Sequence, residues 1–359
     1  MPIKRPDLSF LAHPAMRFAC ASLVPALILA LGAVFGGLWA FLGFLWMTGF
    51  VFAGDQLARS LGITQPEMPR DAYSDRVVLT VGAAHFPFLA IVLFGLSGGT
   101  GLGVFGWLFT AMGAGLWCGQ VSNSVAHELI HRTERAPFEL GRWIYVSLLY
   151  GHHTSAHRLV HHRHVATPDD PNSAAFGVSF YEFLIRAVPG EFMAGYEMEN
   201  SLRAAKTEGK PGIHPYVIYV GGGCLFLMVV AELFGLFGLL AYLLLCAHAQ
   251  LQLFLSDYVQ HYGLERKKAG PDAYEPFAPE HSWDAPDFLS GLMMMNAPRH
   301  ADHHAHPGRS FGELQLSPEG KAPLLPASLP VMATIALVPS VWHRIMDSKI
   351  SRMRRGTQA

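Results

Sequence analysis

The run PYVIYVGGGCLFLMVVAELFGLFGLLAYLLLCAHAQLQLFLSDYVQH, residues 215–261, decides what kind of chain this is. It reads as two apolar segments, 216–234 and 236–256, each about long enough to cross a bilayer and joined tightly around Gly235. Four more runs of this kind lie upstream, near 18–36, 38–54, 77–97 and 102–123. The first two are joined around Gly36-Gly37 and the next two around Ser97-Gly98-Gly99, so the apolar runs come as three hairpins. Composition agrees. Charged residues make up 15% of the 359 and apolar residues 51%, against about 25% charged in ordinary soluble domains. The formal net charge is -1 and no basic run stands out, which sets nucleic-acid binding aside.

The 26 Lys and Arg residues fix an expected orientation. None falls in the three tight connections. Lys4, Arg5, Arg17, Arg59, Arg70 and Arg76 lie in the N-terminal tail and the 55–76 loop, and the rest lie at 124–215 or beyond residue 257. The positive-inside rule makes that side cytoplasmic and, with an even number of spans, puts both termini there. Met1 to Arg17 has no short apolar core followed by a cleavage site, so the first run reads as a retained span. A further apolar stretch, Leu324 to Trp342, is broken by Pro326, Pro330 and Pro339, and is expected to pack on the cytoplasmic part or lie at the interface. The expected fold is an all-α integral membrane protein with six transmembrane helices. Residues 1–123 hold the tail and four spans, 124–215 a cytoplasmic histidine-rich region, 216–257 two spans, and 258–359 a second histidine-rich region with a basic tail.

Nineteen histidines are present, and their placement matters more than their number. His127-Glu-Leu-Ile-His131 follows the fourth run, His157-Arg-Leu-Val-His161-His162 lies in the long loop, His261 ends the sixth run, and His300-Ala-Asp-His303-His304 lies near the C-terminus. On a helix, residues three or four apart share a face. His127 with His131, His157 with His161, and His300 with both His303 and His304 are therefore expected to pair on one ion. An adjacent His-His step turns by about 100°, so the second ring can serve a neighbouring metal. Nine imidazoles exceed what one ion uses, so two metals is the natural count, with iron, zinc, copper and nickel all suited to nitrogen ligands. Glu128, Asp302, Asp169, Asp170 and Asp257 are candidates to orient the rings from behind. His152, His153, His164 and His306 read as structural, and His13, His85, His214, His248 and His343 as incidental. Cys20, Cys118, Cys224 and Cys246 form no CxxC pair, which argues against a built-in iron–sulfur centre.

Two rival readings follow from the same residues. His127-Glu128-x-x-His131 matches HExxH, in which the Glu is the base of a zinc protease; that reading leaves most of the clustered histidines unexplained. A metal transporter would place ionisable groups at the bilayer midplane, whereas these lie at the helix ends and beyond.

The motifs resemble those of the bacterial membrane alkane 1-monooxygenases, within the group that includes xylene monooxygenase and the membrane fatty-acid desaturases. They are Asn123 before His127-Glu-x-x-His131, Tyr150-Gly151-His152, His161-His162 followed by Val165-Ala-Thr-Pro-x-Asp-Pro171, His261-Tyr-Gly-Leu264, His281-Ser-Trp283, and Arg299-His300-x-Asp-His303-His304-Ala-His-Pro307. The resemblance implies that His127, His131, His157, His161, His162, His261, His300, His303 and His304 hold two iron ions. It also implies that dioxygen is co-substrate, and that electrons come from a separate rubredoxin and its NADH-dependent reductase. The substrate would be hydrophobic and drawn from the bilayer of the bacterial inner membrane. Terminal hydroxylation of alkanes is the expected reaction, ahead of oxidation of aromatic methyl groups and fatty-acyl desaturation; histidine spacing alone cannot divide these. Trp46 and Met47 lie about where the family places a bulky residue that limits chain length. Three departures concern the surroundings rather than the histidines. Ala156 and Arg158-Leu159-Val160 replace a Glu and an Asn-x-Gly, Asp257 and Gln260 replace an Asn and a Glu, and Ala297-Pro298 replace a Leu-Gln pair.

Overall fold

Glycine ends the first apolar run. Gly36 sits at φ 61°, a left-handed conformation that lets the chain reverse without a Cβ penalty. On either side lie α1 (Ala15–Phe35) and α2 (Gly37–Ser60). The computed structural model describes residues 12–356 apart from 66, 207–211, 272 and 319, so Lys4, Arg5 and Lys210 of the charge argument lie outside the described residues. The α1–α2 pair packs closely: a Cβ on Gly32 would stand 2.8 Å from the Ala40 Cα. Next comes α3 (Ala72–Gly99), started by Asp71, whose Oδ1 accepts from the backbone N–H of Tyr73 and Ser74 at 3.0 and 2.8 Å. The chain turns again at Gly98 (φ 102°) and Gly101 (φ 66°) into α4 (Val104–Ile130).

Three shorter helices follow: α5 (Arg135–Ser147), α6 (residues 153–164) and α7 (Phe180–Ala204). The quoted run then forms α8 (Pro215–His261), whose 47 residues are interrupted at Gly235, where φ 63° and ψ -166° are not helical. The C-terminal region adds α9 (Phe288–Met293), α10 (His300–Ala305), α11 (Leu329–Ala336) and α12 (Pro339–Gly356). No strand occurs among the described residues.

Among the described residues five helices, α1 to α4 and α8, are long and apolar enough to cross a membrane. Leu27, Phe35, Leu38, Phe94, Phe105, Leu233 and Phe237 stand exposed along them, an arrangement that an apolar solvent satisfies and water does not. The stretch 324–342 is not a single segment: its prolines open α11 and α12, and α11 packs on the distal half of α8. Cys118 and Cys246 are buried, while Cys20 and Cys224 face outward.

Candidate metal centre

The last turns of α4 bring His127 inward, with His131 just past the helix end, and the distal end of α8 delivers His261. The short helices α6 and α10 carry the remaining six. Asp284, fully buried, accepts the Ala301 N–H at 2.8 Å and so ties down the first turn of α10. Asn123 donates from Nδ2 to the carbonyls of Gly119 at 3.0 Å and Ala249 at 2.8 Å, locking α4 to α8 just before the first histidine.

All nine histidines converge, in two adjacent clusters. His127, His131, His157, His162 and His303 form the first, and His161, His261, His300 and His304 the second; within each, the donor atoms lie within 4.8 Å of one another. In the first, the His157 Nε2 stands 2.8 Å from that of His127, 3.1 Å from His131 and 2.9 Å from His162, and His162 is 3.1 Å from His303. In the second, the His300 Nε2 stands 3.0 Å from His261 and 3.1 Å from His304. Nitrogens bound at right angles to one ion at about 2.1 Å would be about 3 Å apart. Burial, reinforced by neighbouring imidazoles, pushes His157, His162, His300, His303 and His304 well below the ordinary histidine value. Neutral rings with lone pairs turned toward one another fit a cation between them.

Two pairings differ from the sequence expectation. His157 does not share a cluster with His161 but with His162, because residues His157–His161 form a π-helical turn. Its wider turn brings i and i+5 to the same side. His300 shares its cluster with His304 and not with His303.

Behind the rings, the five candidate carboxylates take different places. Asp170 is buried and its Oδ2 accepts from His161 Nδ1 at 2.8 Å, which turns His161 Nε2, buried and without another partner, toward the second cluster. Burial alone would push His161 down, but the Asp170 carboxylate overrides it and holds the ring up to about 9. Glu128 binds Arg132 at 2.6 Å, so the residue that would be the protease base is held in an ion pair. Asp302 accepts from His306, Arg309 and the Gln315 N–H at 2.9, 2.7 and 3.0 Å. Asp257 accepts from Asn172 at 2.8 Å, and Asp169 is exposed.

Sequence reading passed over Asp284 and Glu191. Glu191, on α7, accepts from Tyr150, from His153 Nδ1 at 2.6 Å and from Asn172 at 3.2 Å. His85 is a satisfied core histidine, bonded to Ser122 and Ser147 at 2.8 Å each, and His13 pairs with Asp71 at 2.9 Å. His152, His153, His164 and His306 belong to neither cluster.

A cavity opens against His127, His157 and His300, walled by α4, the distal half of α8, and α11. A second π-helical turn, Cys118–Ser122, lies in its α4 wall. Trp46 and Met47 lie elsewhere: Met47 is in the core and Trp46 packs on Phe50 at 4.4 Å, and neither lines this cavity.

The fold and the two clusters define a helical membrane protein able to hold two metal ions in an all-imidazole site. Residues 102–334 match the fatty acid desaturase family. Alkane 1-monooxygenase 1 of Alcanivorax borkumensis is 31% identical over 299 residues, covering 81% of this chain and 71% of its own length. The alkane 1-monooxygenase of Ectopseudomonas oleovorans is 33% identical over 248 residues, 67% of this chain and 59% of its own. The hydroxylase component of xylene/toluene monooxygenase from Pseudomonas putida is 26% identical over 241 residues, 62% of this chain and 58% of its own. The chain belongs to the fatty acid desaturase family and, within it, to the alkane 1-monooxygenases.

Proposed function

We propose that this chain is a membrane-bound non-haem di-iron monooxygenase that hydroxylates the terminal C–H of medium- to long-chain alkanes. His127, His131, His157, His162 and His303 would hold one iron, and His161, His261, His300 and His304 the other. The observation that carries the reading is the pair of all-imidazole clusters, the first partly and the second wholly buried, against one cavity wall. Bound iron supplies the O2 chemistry that no side chain can perform. The chain's own residues hold the rings in register, keep the rings other than His161 neutral by burial, and present the cavity from the membrane side. In balance, R–CH3, O2, two electrons and two protons give R–CH2OH and water.

The electrons would come from rubredoxin and its NADH-dependent reductase, consistent with the lack of a CxxC pair. The break at Gly235 supports six spans, since 47 residues of unbroken helix would run about 70 Å, twice a bilayer. The Lys and Arg distribution supports cytoplasmic termini in the bacterial inner membrane. Trp46 and Met47, away from the cavity, are retained only as a limit on chain length farther along α2. Oxidation of aromatic methyl groups is the second reading, favoured by Gln260 beside His261.

The test is conversion of alkanes, alkylbenzenes and fatty-acyl esters under 18O-labelled dioxygen, read by mass spectrometry. One label atom in a terminal alcohol is the expected result. Unlabelled desaturated product, or zinc without iron in the purified protein, overturns the reading.

A further inference from the structure

The cavity beside the histidines has polar side chains that a bare hydrocarbon cannot use. Gln120, in the π-helical turn of α4, is 7% exposed, and its Oε1 is buried with no hydrogen-bond partner. Its Nε2 is 3.4 Å from the Oε1 of Gln252 on α8, at the long limit of a hydrogen bond. Both amides lie in helices apolar enough to cross a membrane, where an unsatisfied amide is costly. The backbone makes room for them. A Cβ on Gly119 would stand 2.5 Å from the Gln252 Cγ, so only glycine there lets the amide occupy its place.

Two neighbouring polar groups are already committed. Gln260 Oε1 accepts from Ser256 at 2.7 Å, and Asp257 accepts from Asn172 at 2.8 Å. No Lys or Arg lines the cavity, so an anionic headgroup would find no counter-charge. A bare alkane would leave Gln120 Oε1 unpaired. A neutral hydroxyl can donate to one amide oxygen and accept from an amide N–H at once, which is what the Gln120–Gln252 pair lacks. Gln120 precedes His127 by seven residues, about 10 Å along the helix axis. A group held by the amides therefore leaves the far end of a medium-length chain beside His127, His157 and His300.

We propose that Gln120 and Gln252 form a recognition site for a neutral hydroxyl, so that the preferred substrate is a medium-length primary alcohol oxidised at its other end. This rests on the hydroxylase reading above, keeps its terminal C–H chemistry and shifts the preferred substrate from the alkane to the alkanol. HO–R–CH3, O2, two electrons and two protons give HO–R–CH2OH and water, with the electrons from the same external donor protein.

The test is a competition between 1-octanol and n-nonane in membranes containing the full chain and its donor proteins, with 1,8-octanediol quantified against the sum of 1-nonanol and 1,9-nonanediol at early times. The octanediol should exceed the summed nonane products by about tenfold or more, since a site built for a hydroxyl rejects the analogue lacking it. Gln120→Leu and Gln252→Leu should each lower that ratio severalfold, a readout independent of how much protein folds. A ratio near unity, or one unmoved in both variants, overturns the proposal. In parallel, 1-octanol but not n-nonane should raise the thermal midpoint of the purified iron-loaded protein, and Gln120→Leu should abolish the shift. A retained shift with no oxidised product from either compound refutes the hydroxylase reading while keeping the hydroxyl site; no shift in the wild type refutes the site.

Discussion

His161 and His162 are consecutive residues whose rings stand 6.1 Å apart with planes at 76°, and they join different clusters. The same division separates His303 from His304, 5.6 Å apart at 70°. Two His-His steps, on two short helices, thus straddle the boundary between the clusters. If each cluster holds one ion, variants that remove two rings should differ by which cluster they strike.

His161→Ala with His304→Ala takes both rings from the second cluster and should leave one metal ion per chain. His161→Ala with His162→Ala takes one ring from each and should deplete both. Metal-to-protein ratios by plasma mass spectrometry on purified protein check this. Equal loss from the two double variants would mean that the clusters do not bind separately.

The nine histidines were legible because i, i+4 spacing and dense grouping are local signals that survive translation into any helical fold. Their partition was legible only in part. The His-His steps announce a split, but the pairing of His157 with His162 depends on a π-helical turn that nothing in Arg158-Leu159-Val160 specifies. The hairpins were legible at Gly36, Gly98 and Gly235 because positive φ in an apolar run calls for glycine. Asp284 and Glu191 were invisible for the opposite reason. Each contacts a partner well separated along the chain, and an isolated acid in a sequence does not show which backbone or ring it will face. The cavity wall was hidden likewise, since Gln120 and Gln252 meet only when α4 packs on α8.

Asp170 fixes the His161 ring from behind. Asp170→Asn keeps the shape and weakens the acceptor, so metal affinity of the second cluster should fall about 10- to 100-fold while the fold is kept. Competition with a chelator of known affinity measures this. An unchanged affinity would make the contact merely structural.

Glu191 is a buried carboxylate held down to about 2: burial opposes its charge, but His153 and Tyr150 outweigh that cost. Its folded value lies below the ordinary 4.5. The stabilisation is therefore complete above about pH 4.5 and drains away as pH falls toward about 2. Glu191→Gln should cost on the order of 3 kcal/mol at neutral pH, as expected for breaking a buried pair. It should also flatten the acid limb of the thermal midpoint measured against pH in detergent. A variant with the same acid limb as the wild type would contradict the assignment.

Gly115 lets α4 approach α8, and a Cβ there would overlap the His248 ring. Gly115→Ala should lower stability by about 1–3 kcal/mol through overpacking. Gly115→Ala combined with His248→Ala should recover most of the loss, because the second change removes the ring that the first one strikes. Thermal unfolding of the two variants decides it. If the double variant is no more stable than the single, the clash lies elsewhere and His248 is not what sets the spacing.

Leu253 lies on the cavity wall between Gln252 and the histidine end of α8, and it is 7% exposed. Leu253→Trp adds bulk into this cavity without replacing a histidine. The metal content should therefore hold while the longest accepted substrate shortens, since the lost volume lies along the path to His127 and not at the clusters. A chain-length series measured by product yield, with metal content measured on the same preparation, separates the two effects. Loss of metal along with activity would mean that Leu253 supports the His261 turn and that the cavity is not the substrate path.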